Sequence, residues 1–314
     1  MQNKCTVNDS LTNTINAYLD SRNADGFLFS GPITRNNADQ LVTLIDSRTD
    51  RRKNVSFFLS TFGGDPNAAY RIGRAFKKHY CNGLVTILIG GYCKSAGTLI
   101  ALCANELAFG CFGELGPLDT QLDKPNEILG SESGLDLLQA LDQITDSAFS
   151  SFEQQMLSIV RHSNGAISTR IASEIASALT VGIFSPISGQ IDPLRLGIVK
   201  RAIEIAQKYG NRLSSDNVKP KTVDRLVSDY PAHGFVIDKD EAKELFEKVR
   251  EFNDLESGIY RRFDFILRVP SPDRNEFISD LRTDFSPDSD DLTEQDTSSN
   301  PSTIKTGDEH DNIE

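Results

Sequence analysis

Short apolar runs and longer amphipathic stretches alternate through the first hundred residues. The runs near 27–30, 55–60 and 84–89 are almost continuously apolar and rich in Phe, Val, Ile and Leu, as strands buried on both faces require. The stretches near 36–48, 66–80 and 95–105 carry apolar residues at helical spacing. Strands alternating with helices predict parallel pairing with right-handed crossovers. Shorter strands are expected at Leu107-Ala108-Phe109 and around Leu115 to Leu118, and Leu11 to Leu19 reads as an amphipathic segment within 1–25.

Beyond this core the pattern becomes helical. Leu135, Leu138, Leu141, Ile144, Ala148, Phe152, Met156 and Ile159 recur at spacings of three and four, which predicts one long amphipathic helix over 135–161. Helices over 167–179 and 193–209 complete an excursion of 135–210. A tight turn at Tyr230-Pro231-Ala232-His233-Gly234, a strand Phe235-Val236-Ile237 and a helix over 240–249 follow. The expected fold class is α/β, a stacked parallel-strand core with helical crossovers and a C-terminal helical extension. Its parts are an N-terminal helical segment (1–25), the main domain (26–250), a helical or irregular segment (251–282) and a tail (283–314).

Composition narrows the function without naming it. An apolar content of 38% over 314 residues suits one large core, or a core with a small appendage. Residues 283–314 hold ten acidic side chains against Lys305, so −9 of the net −12 lies in the tail and the body carries about −3. The tail, poor in apolar residues, is expected to be disordered and to act as a solubilising segment. A nearly neutral body with no basic stripe gives no reason to expect a nucleic-acid partner. Five cysteines, at 5, 81, 93, 103 and 111, contain no Cys-x-x-Cys pair, and the N-terminus has no signal-sequence pattern. Both point to a reducing, cytoplasmic setting. The apolar stretches read as too short for an integral membrane segment.

The candidate chemistry lies at two strand-to-helix junctions, which in such sheets fall where ligands bind. Gly91-Tyr92-Cys93-Lys94-Ser95-Ala96-Gly97 follows one strand and opens a helix, placing Ser95 on an elbow that lifts its hydroxyl out of the core as a candidate nucleophile. Thr61-Phe62-Gly63-Gly64-Asp65-Pro66 forms the other junction, with Asp65 suited to the N-cap and Pro66 to the first helical position. The N–H groups of Gly63 and Gly64, with that of Ala96, can serve as an oxyanion hole. The alternative for Ser95 is a helix N-cap without chemistry.

Gly-Gly after a strand, followed about thirty residues on by a Ser-Ala-Gly elbow, resembles the ClpP/crotonase superfamily, and Phe27 to Ile33 with Asn37 to Ile45 is similar to its first strand and helix. Glu114 to Gln121 and Tyr230 to Asp238 resemble the serine dehydrogenase proteinase branch, related to signal peptide peptidase A. The resemblance spans about Gly26 to Phe246. It implies a ClpP/crotonase-like fold and a serine-type endopeptidase acting on peptide or protein substrates. It also implies a homo-oligomer in which 135–161 packs subunits together; the apolar stripe alone fits a helix packed within its own subunit equally well.

A serine hydroxyl requires a base and a group to orient it. In ClpP-like peptidases the base stands about twenty-five residues after the serine; here that place holds Asp119-Thr120-Gln121 and no histidine. Asp119 is left with orienting a base from elsewhere, polarising a water, or capping the turn after Pro117. His233, on its tight turn, is the candidate base. His310 in the tail and His79 beside Lys77 and Lys78 read as solvated, and His162 as a helix terminus. A lysine base, as in signal peptide peptidase A relatives, has only Lys94 and Lys200 to offer.

The leading expectation is thus catalysis by Ser95, His233 and Asp119 with an oxyanion hole at Gly63, Gly64 and Ala96. The alternatives are a non-catalytic assembly protein on the same fold, favoured by the missing histidine near position 120, and a crotonase-like acyl-CoA enzyme. No nicotinamide fingerprint, pyridoxal lysine or metal-ligand spacing is present, so neither cofactor nor metal is expected.

Overall fold

The computed structural model describes residues 5–118, 121–123, 131–270 and 277–285. The elements run α1 (Cys5–Arg22), β1 (Ala24–Ser30), α2 (Arg35–Ser47), β2 (Asn54–Ser60), α3 (Pro66–His79), β3 (Val85–Ile89), β4 (Tyr92–Cys93), α4 (Ala96–Ala101), β5 (Glu106–Phe109) and β6 (Glu114–Leu115). A short hairpin, β7 (Gln121–Asp123) and β8 (Ser131–Ser133), leads to α5 (Gly134–His162), α6 (Thr169–Ser188) and α7 (Pro193–Leu213). Then follow α8 (Thr222–Ser228), α9 (Lys239–Leu245), β9 (Val249–Glu251), α10 (Asp254–Arg262), α11 (Asp264–Leu267) and β10 (Phe277–Asp280).

The main sheet has the order β10-β1-β2-β3-β5-β9, and every pair is parallel except β10 with β1. Register sorts the side chains into rows. Phe27, Phe57, Ile87 and Leu107 stand side by side, as do Leu28, Phe58, Leu88 and Ala108 one residue later. Because successive strand residues face opposite ways, the first row enters the core that α2, α3 and α4 cover, and the second enters a core shared with α1, α10 and α11. Full burial of each large side chain contributes about 1.5–3 kcal/mol. The continuous apolar runs are therefore two alternating sets, one for each face.

Local signals set the helix starts. The Asp65 side chain accepts from Asn67 N–H at 2.8 Å with Pro66 in the first turn, and Thr34 caps α2 through Asn37 N–H. Three expectations are corrected. The helix expected over 240–249 stops at Leu245, and Val249 begins β9: Asn217 takes the N–H groups of Glu247 and Lys248, and Lys248 C=O accepts from Leu107 N–H, so sheet pairing overrides helical spacing. The strand expected at 235–237 is reduced to a single bridge between Ile237 and Leu115. The third concerns α6, which continues past Leu179 through Gly182 and Pro186 to Ser188 and, at mean hydropathy 1.4, is long and apolar enough to cross a bilayer. Its scattered Ser and Thr residues break up the apolar run in the sequence without adding charge. The segment 251–282, expected as helical or irregular, also contributes the edge strand β10. The acidic stretch 286–314 lies outside the described residues.

At the amino end of the strands Asp25 is fully buried and accepts from Tyr80 Oη (2.9 Å), Arg52 N–H (3.0 Å), Arg282 Nη1 (2.8 Å) and Arg48 Nη1 (3.3 Å). Arg48 also pairs with Asp280 of β10. One carboxylate thus ties β1, α3 and the C-terminal strand together. Asp25→Ala is expected to destabilise the fold by about 3–5 kcal/mol, because it strands buried cationic and hydroxyl donors. Denaturant unfolding, read as a lower midpoint, checks this, and an unchanged midpoint would contradict it.

Candidate active site

The two junctions meet as one corner. Thr61 and Cys93 form a parallel bridge, with Thr61 N–H donating to Tyr92 C=O (2.8 Å) and Lys94 N–H to Thr61 C=O (2.9 Å). In the same turn Gly97 N–H donates to Lys94 C=O at 2.8 Å. A Cβ on Gly97 would stand 2.5 Å from Thr61 Cγ2 and 3.0 Å from Cys93 Sγ. The elbow closes onto its neighbour only because that position lacks a side chain.

Ser95 has φ 50° and ψ −112°, a left-handed conformation that a non-glycine residue adopts at a cost of about 1–3 kcal/mol. It stands at the N-cap position of α4, yet its side chain makes no capping hydrogen bond. The capping explanation for a serine at this position therefore fails. Gly63 (φ 116°) lies directly against it, since a Cβ there would be 2.9 Å from Ser95 Cβ and 3.3 Å from Ser95 Oγ. Gly63 N–H, however, donates to Thr61 Oγ1 at 3.0 Å. Among the described residues, the N–H groups of Gly64 and Ala96 take no part in the loop hydrogen bonds. Gly64 (φ 142°) is pressed to Ile33, whose carbonyl oxygen would be 2.3 Å from an added Cβ.

Lys94 is buried, and its ammonium donates to Leu115 C=O (3.0 Å) and Phe235 C=O (3.1 Å) and pairs with Glu114 Oε1 (2.9 Å). Thr98 Oγ1 donates toward Gly116 C=O at 2.7 Å and accepts from Gly116 N–H at 3.2 Å. These contacts dock the segment 114–118 and the turn before Ile237 beside the elbow. Phe235 N–H closes that turn on Ala232 C=O, and the Tyr230 and Phe235 rings pack at 5.1 Å. Half-buried His233 sits within it. Asp119 lies outside the described residues.

The remaining basic candidates have other partners. His79, expected as solvated, is largely buried and its Nε2 stands 3.1 Å from Asp46 Oδ1; burial holds its pKa below the ordinary histidine value. The sequence shows only its lysine neighbours and not the carboxylate arriving from α2. His162 Nδ1 bonds Ser158 C=O at 2.8 Å at the end of α5, as a helix terminus would. Lys200 is exposed on α7.

Sequence reasoning missed two features. Phe62, 46% exposed, packs its ring 4.8 Å from that of Tyr92, placing an aromatic pair at the mouth of the corner; its trace in the sequence is an aromatic residue directly before Gly-Gly and another before the elbow serine. The Lys94–Glu114 pair is the second, and it carries no local signature. A cavity of about 920 Å³ opens beyond β5 and β9 between Phe112, Asp238, Phe252, Tyr260 and Arg268, with no elbow residue in its lining. Among the described residues no three His, Cys, Asp or Glu side chains stand together as a metal site.

No family model matches the chain, and no curated protein matches it. Among solved structures it is similar to a serine-to-alanine mutant of the 1510-N membrane-bound stomatin-specific protease, at 19% identity and a TM-score of 0.30, over 48% of this chain and 67% of that one. A lysine-to-alanine mutant of the same protease, in complex with a substrate peptide, aligns at 20% identity and 0.31, over 48% of this chain and 64% of the other. The ClpP protease catalytic domain from Plasmodium falciparum aligns at 13% identity and 0.22, over 30% and 56%. This chain therefore spans about two thirds or less of each.

Proposed function

We propose that this chain is a serine peptidase of the ClpP and signal peptide peptidase A kind, in the serine dehydrogenase proteinase branch that its motifs resemble. The observation that carries the reading is Ser95: a non-glycine residue with positive φ, on a strand-to-helix corner, packed on Gly63 and not used as a cap. Strain of this sort persists where function exploits it. Its cost falls on the residue that presents a hydroxyl to the cleft.

In this reading Ser95 Oγ attacks the carbonyl carbon of a peptide bond and its proton passes to His233, with Asp119 assisting. The N–H groups of Gly64 and Ala96 hold the oxyanion, while Gly63, its own N–H committed to Thr61, provides the clearance beside Ser95. Collapse of the intermediate breaks the C–N bond, the amine leaves with the proton, and an acyl ester on Ser95 remains for water to hydrolyse. The Phe62–Tyr92 pair offers apolar surface for a substrate side chain. The substrate class is peptide or protein, the setting cytoplasmic and the assembly a homo-oligomer.

The test is labelling by a fluorophosphonate. The label is expected on Ser95, absent in Ser95→Ala, and slowed about 10²–10⁴-fold in His233→Ala, the usual contribution of a general base. A folded protein that takes no label would instead favour a non-catalytic binding protein. Lys94→Met is expected to label more slowly while the midpoint of its pH profile stays in place, because Lys94 anchors the turn and does not take the proton. A pH dependence abolished by Lys94→Met would make the lysine the base.

A further inference from the structure

Among the described residues, the long helix α6 leaves an apolar face uncovered. Ile171 (43% exposed), Ile175 (39%), Leu179 (49%), Ile183 (53%) and Ile187 (41%) follow one another at intervals of four, and Val181 (64%) stands on the other flank. Ala172 and Ala176 are the buried positions of this helix, which packs along α5. Between the two flanks lie Ala178 and Gly182, and among the described residues nothing comes within 4 Å of where a Cβ on Gly182 would be. The face is a ridge of branched side chains beside a shallow notch of small ones.

We propose that this face is where two copies of the chain meet, α6 against α6. Residues spaced by four form the ridge that packs into the matching groove of another helix at a crossing angle of about −50°. A surface carrying both ridge and notch is complementary to itself across a two-fold axis. The exposed parts of the six large side chains amount to roughly 500 Å², at the upper end of what a monomer leaves to water. Two copies reach the roughly 1,000 Å² a specific interface needs.

Charge selects a second copy over a lipid surface. From Ile175 to Ser188 no residue of α6 is charged, and its Arg170 faces its own Glu174, so a neutral partner costs no unpaired ion. Helices that lie on membranes carry Lys and Arg along their polar face; α6 has a single cation, on a chain of net charge −12. Spanning a bilayer would carry the α5 residues Asp142, Asp146 and Glu153, all exposed, into hydrocarbon beside it.

Sedimentation equilibrium of the full chain tests this. The wild type is expected to associate to a multiple of the 34.6 kDa monomer. Leu179→Glu and Gly182→Leu are each expected to weaken that association at least a hundredfold, with melting temperatures of the dissociated chains not lowered. Gly182→Leu is the decisive variant, since it fills the notch while making the helix more apolar and a better helix former. A wild type that stays monomeric, or association unchanged in both variants, would overturn the proposal. So would flotation of the wild type with 3:1 phosphatidylcholine:phosphatidylglycerol vesicles that Gly182→Leu strengthens.

Discussion

The corner at Ser95 depends on how closely two backbones approach. Thr61 and Cys93 pair only if the turn after Ser95 lies flat on Thr61, and a methyl group on Gly97 would prevent that contact at 2.5 Å. Once the turn is seated, the chain has no relaxed way to leave β4 and enter α4, and Ser95 absorbs the difference in its φ of 50°. Close packing and backbone strain are thus one geometric fact. The helix that follows, with all six of its residues buried, keeps the strain from relaxing.

Polar burial is divided between the two ends of the sheet. At the amino ends Asp25 gathers donors from three regions of the chain, and at the carboxyl ends Lys94 supplies a cation to two carbonyls and to Glu114. In both cases one buried charge fixes segments that secondary structure leaves unconnected. A buried charge is a weak source of net stability, yet an arrangement that leaves it without its partners is strongly disfavoured. The cores above and below the sheet supply the stability, and the charges select the arrangement.

What could be read in advance follows the same division. The strands were legible because Phe27, Phe57 and Ile87 belong to dense apolar runs, and the corner because Gly63-Gly64 and Ser95-Ala96-Gly97 each end one. Contacts between distant segments were not legible. Lys94 meets Phe235 across 141 positions, and nothing near either residue announces it. The end of α9 was misplaced for a related reason: helical spacing continues to Val249, but β5 offers that segment a strand partner. His79 shows its lysine neighbours in the sequence and hides Asp46.

The position of β10 sets an order of events for the chain's birth. Its antiparallel pairing with β1 joins Phe27 to Asp280, and Arg282 reaches Asp25 across 257 positions. A ribosome therefore releases β1, β2, β3 and β5 long before the edge strand and the arginine that complete the cluster around Asp25. Until then the growing chain holds a carboxylate short of one of its cations and a first strand with an open edge, the kind of surface that chaperones shield. Completion of the fold waits on nearly the last described residues, so the sheet's first strand is made early and closed at its edge late.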